Sequence, residues 1–192
     1  PDALIPLVGL ASVLRQTGRG AEAEPMLRKA IESGIVEAHK ELARVLAALG
    51  RMDEAIGEAN LAAVMSENDP EAKELAVEVR VARALQDAGE GKADLAVEDL
   101  NRLIAQNPQS AMARLGLGKV QIVRRDADAA LTALQKAVEL DPKAAEAQHQ
   151  LGYVQHLMKR NAAAAVPVFE KAVALAPGNA RYRTSLGGAL LE

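Results

Sequence analysis

Apolar residues recur along this chain in short helical stripes, and the stripes themselves recur at a fixed distance. One whole unit lies between Ala111 and Ala144, AMARLGLGKVQIVRRDADAALTALQKAVELDPKA. Its first apolar segment carries Leu117-Gly118 and ends at a polar break, Arg125-Asp126. Ala130, Leu134 and Ala137 then follow at i, i+4 and i+7, which places them on one face of a second helix. Asp141-Pro142 closes the unit, because a proline ring disfavours helical geometry in the residue before it. Pro108 and Pro142 are 34 residues apart, as are Ala96 and Ala130, and Leu100 and Leu134. A 34-residue period of two helices predicts an all-α solenoid in which each unit buries its apolar face against the next.

The same pattern predicts four more units. The first runs over about 4–35, with Leu10-Ala11 and Leu14 in its first helix (helix A), Gly18 as a left-handed cap, and Ala23, Leu27 and Ala30 in its second (helix B). The second covers about 36–69, with Leu42-Ala43, Leu46 and Gly50, then Ala55, Ala59 and Ala62. The third, about 71–110, is irregular: Ala55 to Ala96 is 41 residues, and the uninterrupted run from Glu71 to Ala88 predicts a helix A about one turn longer than its neighbours. The fourth is the unit at 111–144. The fifth, about 145–179, carries Leu151-Gly152, then Ala165, Phe169 and Ala172. Pro142 to Pro177 is 35 residues, which predicts one inserted residue in the turn Lys159–Ala164. A last segment, 180–192, repeats helix A with Leu186-Gly187. Its apolar end reads as a truncated repeat rather than a cap, since solenoid caps need a polar outer face. Pro25 and Pro167 each fall two residues after the small alanine of a helix B, placed here in the first turn or so, where a missing N–H costs little.

The Leu117-Gly118, Ala130, Leu134, Ala137 and Pro142 positions resemble the tetratricopeptide repeat. The resemblance spans nearly the whole chain and implies one domain over 1–192, a right-handed superhelical solenoid of about five helix pairs plus a terminal helix, with A helices lining a concave groove. The chain departs from the family in its aromatics. Leu7, His39, Arg80, Arg114, Gln148 and Arg183 stand where Trp or Leu is usual, and Leu14, Leu46, Gln121 and Gln155 where Tyr is common. Arg and Gln are poor core residues, so looser A-helix packing is expected in the later repeats.

Composition narrows the function. Apolar residues make up 49% of the chain but aromatics only 2%. That argues against a base-stacking nucleic-acid platform, and the net charge of −3 opposes non-specific DNA binding. Absence of cysteine excludes disulfides and thiol catalysis and leaves the compartment open between cytoplasm and periplasm. No apolar run approaches the length of a membrane span, so no direct insertion is expected. The start at Pro1 suggests a processed or excised piece.

Candidate chemistry is sparse. His149 and His156 are seven apart with Glu146 and Tyr153 near them, but two helical turns separate the rings by about 10 Å, too far for the usual helical zinc pair. His39 stands alone. Gly89-Glu90-Gly91-Lys92 and Leu115-Gly116-Leu117-Gly118 both miss the spacing of phosphate and dinucleotide loops. Arg124-Arg125 reads as a basic pair complementing a helix C-terminus rather than a phosphate site. No catalytic residue, metal or cofactor is expected.

What the family resemblance implies instead is a partner groove. Its helix A positions fall on Glu37, Lys40, Glu41, Arg44 and Ala47 in the second repeat. In the fourth they fall on Met112, Leu115, Gly116, Lys119 and Ile122, and in the fifth on Glu146, His149, Gln150, Tyr153 and His156. The last helix adds Arg181, Thr184 and Ser185. Such a mixed surface suits a peptide or protein segment held by a few apolar anchors. The Asn residues of the family's chaperone-tail clamp are missing, so that match is rejected. The expectation is a non-catalytic protein–protein interaction scaffold. The alternative is the substrate-recognition or assembly arm of a larger enzyme or an export machine. Leu186, Leu190 and Leu191 also offer a surface for self-association.

Overall fold

The computed structural model describes residues 5–192, with side chains from Pro6 onward. Leu4, the expected start of the first repeat, lies outside the described residues. The described chain is all-α and contains no strand: α1 (Ile5–Gln16), α2 (Gly20–Glu32), α3 (Glu37–Ala48), α4 (Met52–Met65), α5 (Pro70–Gly89), α6 (Ala93–Gln106), α7 (Ala111–Val123), α8 (Ala127–Leu140), α9 (Ala145–Tyr153), α10 (Ala162–Leu175) and α11 (Ala180–Leu190). Odd-numbered helices are the A helices of the repeats and even-numbered ones the B helices. A π-helical turn, Val154–Met158, continues α9. None of these helices is long and apolar enough to cross a membrane. Contacts divide the chain into two compact units, one ending at Arg80 and the other beginning at Val81. The division falls inside α5.

In the first unit, Leu27, Leu42, Val45 and Leu46 are fully buried among small residues, Ala11, Ala23, Ala30, Ala43, Ala55 and Ala59. Alanines at the crossings let helix axes approach, and the leucines fill the space beside them. The second unit uses larger residues against glycine. A Cβ on Gly118 would stand 2.5 Å from Leu134 Cγ, and one on Gly152 would stand 2.7 Å from Phe169 Cδ1. Each Leu-Gly pair of helix A is thus a socket for the large residue of its own helix B.

Three details differ from the expectations. The helix expected to be one turn too long is about two turns too long: α5 has 20 residues, against 12 in α3 and 13 in α7. Seven extra residues advance a helix by almost two whole turns, so the apolar stripe stays in phase and the surplus needs no loop. The single residue inserted in the fifth repeat is not in the Lys159–Ala164 turn. It widens the end of α9 into the π turn, where the Lys159 N–H bonds the Val154 carbonyl and the Asn161 N–H bonds the Gln155 carbonyl. A π turn takes up one residue without breaking the helix. Pro25 and Pro167 are the sixth residues of α2 and α10, a turn deeper than expected. Each removes a bond to a carbonyl four residues back, on Ala21 and Ala163, and both alanines are exposed, where water can take the donor's place.

Helix ends also vary along the chain. Ser110, Asp126 and Asn161 accept hydrogen bonds from the Ala113, Ala129 and Ala164 N–H groups and cap α7, α8 and α10. No side chain caps α2, α3 or α4. At the other end of the A helices, Gly18, Gly50 and Gly91 take positive φ values of 77°, 77° and 84°, whereas Arg125 and Arg160 take them at 61° and 54°. A side chain in this left-handed geometry costs about 1–2 kcal/mol relative to glycine.

Candidate functional site

The residues expected to line a groove fall into two environments. In the first unit they are bound to one another by charge. Lys40 Nζ reaches Glu37, Asp69 and Glu71 at 2.8, 2.8 and 3.0 Å. Arg44 reaches Glu71 at 2.6 Å, and Arg15 of α1 donates to Glu41 at 2.8 Å. The chain of pairs runs from α1 through α3 to the start of α5. Burial disfavours the Lys40 ammonium, but hydrogen bonds to Asp69, Glu37 and Glu71 outweigh it and raise its pKa. The Lys40 bond pulls the Glu71 carboxyl below the ordinary range, with Arg44 adding to it, and Lys40 does the same to Asp69. Lys40 and Glu41 are buried, and their charge is already satisfied.

In the second unit the corresponding surface mixes apolar and polar side chains around a cavity. Met112, Leu115 and Ile122 of α7 are half-buried. Leu115, Ile122 and Tyr153 pack on a core of Ala130, Leu134, Leu151 and Val154. Lys119 bonds Glu146 at 2.8 Å across α7 and α9. Where α7 and α9 end, a cavity of about 400 Å³ opens between Ile122, Arg125, Ala127, Tyr153, Leu157 and Met158. Tyr153 ends the regular part of α9, and the π turn that follows brings Leu157 and Met158 to the wall.

The remaining expected residues lie toward α11. His149 is almost wholly buried, stacked on Tyr182 at 4.6 Å between ring centres and tilted against Phe169 at 5.6 Å, and its Nε2 pairs with Ser185 Oγ at 2.9 Å. Burial lowers its pKa, with the Arg181 cation adding to the effect. His156 meets Phe169 edge-on at 6.2 Å, and Gln150 is buried. Both histidines therefore pack on one phenylalanine as core residues, with Arg181 and Thr184 exposed beside them. Leu186 also finds a place in this cluster, against Ala165, Phe169 and Ala189, while Leu190 and Leu191 stay exposed. Among the described residues no cluster of three His, Asp or Glu side chains could hold a metal.

Of the polar residues that replace the family's aromatics, His39, Gln121 and Gln148 are buried, Arg80, Arg114 and Gln155 are half-buried and Arg183 is exposed. Gln121 accepts from Arg124 at 3.1 Å. Among the described residues, the buried side-chain polar atoms without a hydrogen-bond partner are Arg114 Nε, His149 Nδ1, Gln155 Oε1 and His156 Nε2, all in the second unit. The last of these sits 3.1 Å from a Glu192 carboxylate oxygen without hydrogen-bond alignment. The pattern of apolar positions missed Arg125, Leu157 and Met158 as cavity residues. A signal for Arg125 was present: it stands where Gly18, Gly50 and Gly91 end the earlier A helices.

A tetratricopeptide repeat model matches residues 8–73, 81–145 and 117–180. The first two matches leave 74–80 uncovered, seven residues inside α5, the number by which the Ala55-to-Ala96 spacing of 41 exceeds 34. No curated protein matches the sequence. Among solved structures, the chain is similar to TTC0263, a thermophilic TPR protein of Thermus thermophilus, with 23% identity, a TM-score of 0.65, and coverage of 98% of this chain and 100% of that one. It is similar to YrrB, described as a TPR protein with an unusual peptide-binding site, with 21% identity, a TM-score of 0.53 and coverage of 96% and 90%. The second TPR domain of human RPAP3, solved with an HSP70 peptide, gives 23% identity, a TM-score of 0.53 and coverage of 57% and 91%. These likenesses carry the fold. Proteins of this kind are generally non-catalytic scaffolds for protein–protein interaction that bind protein or peptide partners. The repeat spacing, the Gly118–Leu134 and Gly152–Phe169 sockets and the matched residues together establish that the chain belongs to the tetratricopeptide repeat family.

Proposed function

We propose that this chain holds a segment of a partner protein against the A-helix surface of its second unit, with an apolar side chain of the partner seated in the cavity beside Tyr153. The observation that carries this reading is the cavity itself. Its volume of about 400 Å³ exceeds that of any one apolar side chain, and its walls combine Ile122, Leu157 and Met158 with one phenol and one guanidinium. A wall that mixes apolar side chains with a phenol and a guanidinium can seat an apolar group and orient it through a polar contact. Methionine and the π turn let the wall adjust to the guest. Met112, Leu115, Lys119 and Glu146 extend the surface along α7 and α9. Glu37, Lys40, Glu41 and Arg44 of the first unit spend their charge on one another and on Asp69 and Glu71, so a partner gains less there. His149, Gln150 and His156 act from beneath as supports, and Arg181 and Thr184 supply exposed polar contacts at the α11 end.

The test uses peptides selected from a random displayed library against the intact chain. Tyr153→Ala is expected to weaken their binding by a factor of about 30 or more, the loss typical of a central anchor. Lys119→Glu weakens it less. Circular dichroism of both variants stays as in the parent. Unchanged binding in both variants moves the site elsewhere and overturns the reading.

A further inference from the structure

We infer that the partner segment carries a carboxylate beside its apolar anchor, received by Arg125 at the cavity and by Arg160 on the next turn. The inference rests on the cavity reading above and deepens it. Three independent features of the two arginines support it.

The first is position. Arg125 lines the cavity directly. Arg160 occupies the equivalent place in the following repeat, the left-handed residue that ends helix A. The two turns adjoin, because Lys159 of the second bonds Asp128, at the start of α8, at 2.7 Å. The second feature is backbone conformation. The three earlier repeats solve the same turn with Gly18, Gly50 and Gly91. Glycine takes this geometry freely and arginine does not. An arginine placed twice at a position better suited to glycine points to a task for the side chain, in keeping with the tendency of strained backbone to collect at binding sites.

The third is charge left over. Each cation next to them already has a partner: Arg124 bonds Gln121 and pairs with Asp94 at 2.9 Å, and Lys159 pairs with Asp128. The nearby Asp126 carboxylate caps α8 through the Ala129 N–H. Neither the Arg125 nor the Arg160 side chain has a hydrogen bond or ion pair among the described residues, and both residues are exposed. One free guanidinium in the cavity wall beside Ile122, Leu157 and Met158, and a second on the adjoining turn, complement an apolar side chain followed closely by an acid. The guanidinium fork binds a carboxylate with two parallel bonds, which fixes direction as well as charge. This places the acid-binding groups on the turns between A and B helices.

The experiment takes the selected peptides and synthesises each with every Asp and Glu replaced by Asn and Gln. Binding of both forms is measured by fluorescence anisotropy to the parent chain, to the double variant Arg125→Gln/Arg160→Gln, and to Tyr153→Ala. The selected set is expected to be enriched in acids within a few residues of a Leu, Ile, Met or Phe. Acidic forms bind the parent about tenfold tighter than their amide forms, the size expected for a charge-assisted bond. In the double variant the ratio between acidic and amide forms falls to about one, whatever change in affinity the two forms share. Equal binding of acidic and amide forms to the parent, or a gap that persists in the double variant, overturns the inference. If that happens while Tyr153→Ala still loses binding, the cavity reading survives alone. If Tyr153→Ala leaves every peptide bound, or no peptide is selected at all, both fall.

Discussion

In the first unit a continuous chain of charges joins the A helices, and in the second the A helices α7 and α9 each take a large side chain of their own B helix into a glycine socket. Arg15, Glu41, Arg44, Glu71 and Lys40 form one connected set in the first. In the second, Leu134 and Phe169 fill the notches at Gly118 and Gly152, and single ion pairs such as Lys119–Glu146 bridge the repeats. Charges that pair among themselves leave little for a partner to bind. Jigsaw packing leaves cavities and unpaired polar atoms where the fit is interrupted, as at the π turn and Gln155. The same repeat can therefore be a strut or a receptor, depending on whether its A-helix surface is satisfied internally.

The sharpest way to break this comparison is to fill a socket. Gly118→Ala and Gly152→Ala place a Cβ at 2.5 and 2.7 Å from the Leu134 and Phe169 side chains, distances at which something must move. Each is expected to destabilise the second unit by about 1–3 kcal/mol, as over-packing does. Gly187 fills the same sequence position in α11 but meets no atom within 4 Å, so Gly187→Ala is neutral or slightly stabilising there. Chemical denaturation of the three variants measures both effects. Equal losses at all three positions would show that backbone freedom, and not the socket, requires the glycine.

The Leu-Gly pairs and their 34-residue period were legible in the sequence, whereas which large residue each glycine receives was seen only in the structure. The long α5 was legible as an irregularity, and its true length followed only once seven residues were counted as two turns. The cavity was half legible: Ile122 and Tyr153 sit at helix A positions, but Leu157 and Met158 reach the wall through a π turn. An insertion of one residue leaves the same trace in the sequence whether it lengthens a turn or widens a helix. Burial was least legible. A groove position assigned by phase says nothing about neighbours, so Lys40 and Glu41 read as free charges until Asp69, Glu71 and Arg15 were seen to close on them. His149 likewise read as groove lining until Tyr182 and Phe169 enclosed it.

Acid should separate the two units by the pH at which each loosens. Asp69 and Glu71 have carboxyls held below their ordinary values of 3.8 and 4.5 by Lys40, with Arg44 helping at Glu71. Their contribution to the first unit is complete above about pH 4.5 and is lost as pH falls through the lowered values. His149 is held below its ordinary 6.5 by burial and by Arg181, so protonation favours the unfolded form. Its contribution to α11 docking is complete above about pH 6.5 and declines as pH falls below it. Amide exchange of α11 is expected to quicken from pH 6.5 downward, once corrected for the intrinsic rate, and that of α3 only below 4.5. His149→Phe removes the first effect. Lys40→Met removes the second and costs about 1 kcal/mol at neutral pH, because Asp69 and Glu71 remain partly hydrated while their shared cation is lost. If α3 loosens along with α11 in the parent, the charged chain is not what holds the first unit.

The smallest effect tests whether the second unit gives up stability for its exposed arginines. Arg125→Gly and Arg160→Gly restore the residue that the first three repeats use at positive φ. Each relieves about 1 kcal/mol of left-handed strain, reduced by the greater freedom glycine has when unfolded. For a chain of 192 residues the double variant should melt a few degrees higher. The reverse exchange, Gly50→Arg in the first unit, places a side chain at a φ of 77° and should melt lower. Scanning calorimetry of these variants reads out the sign directly. A parent that melts above the double glycine variant would mean that Arg125 and Arg160 already make contacts that stabilise the free chain, and the turns of the two units would then differ in packing and not in readiness for a partner.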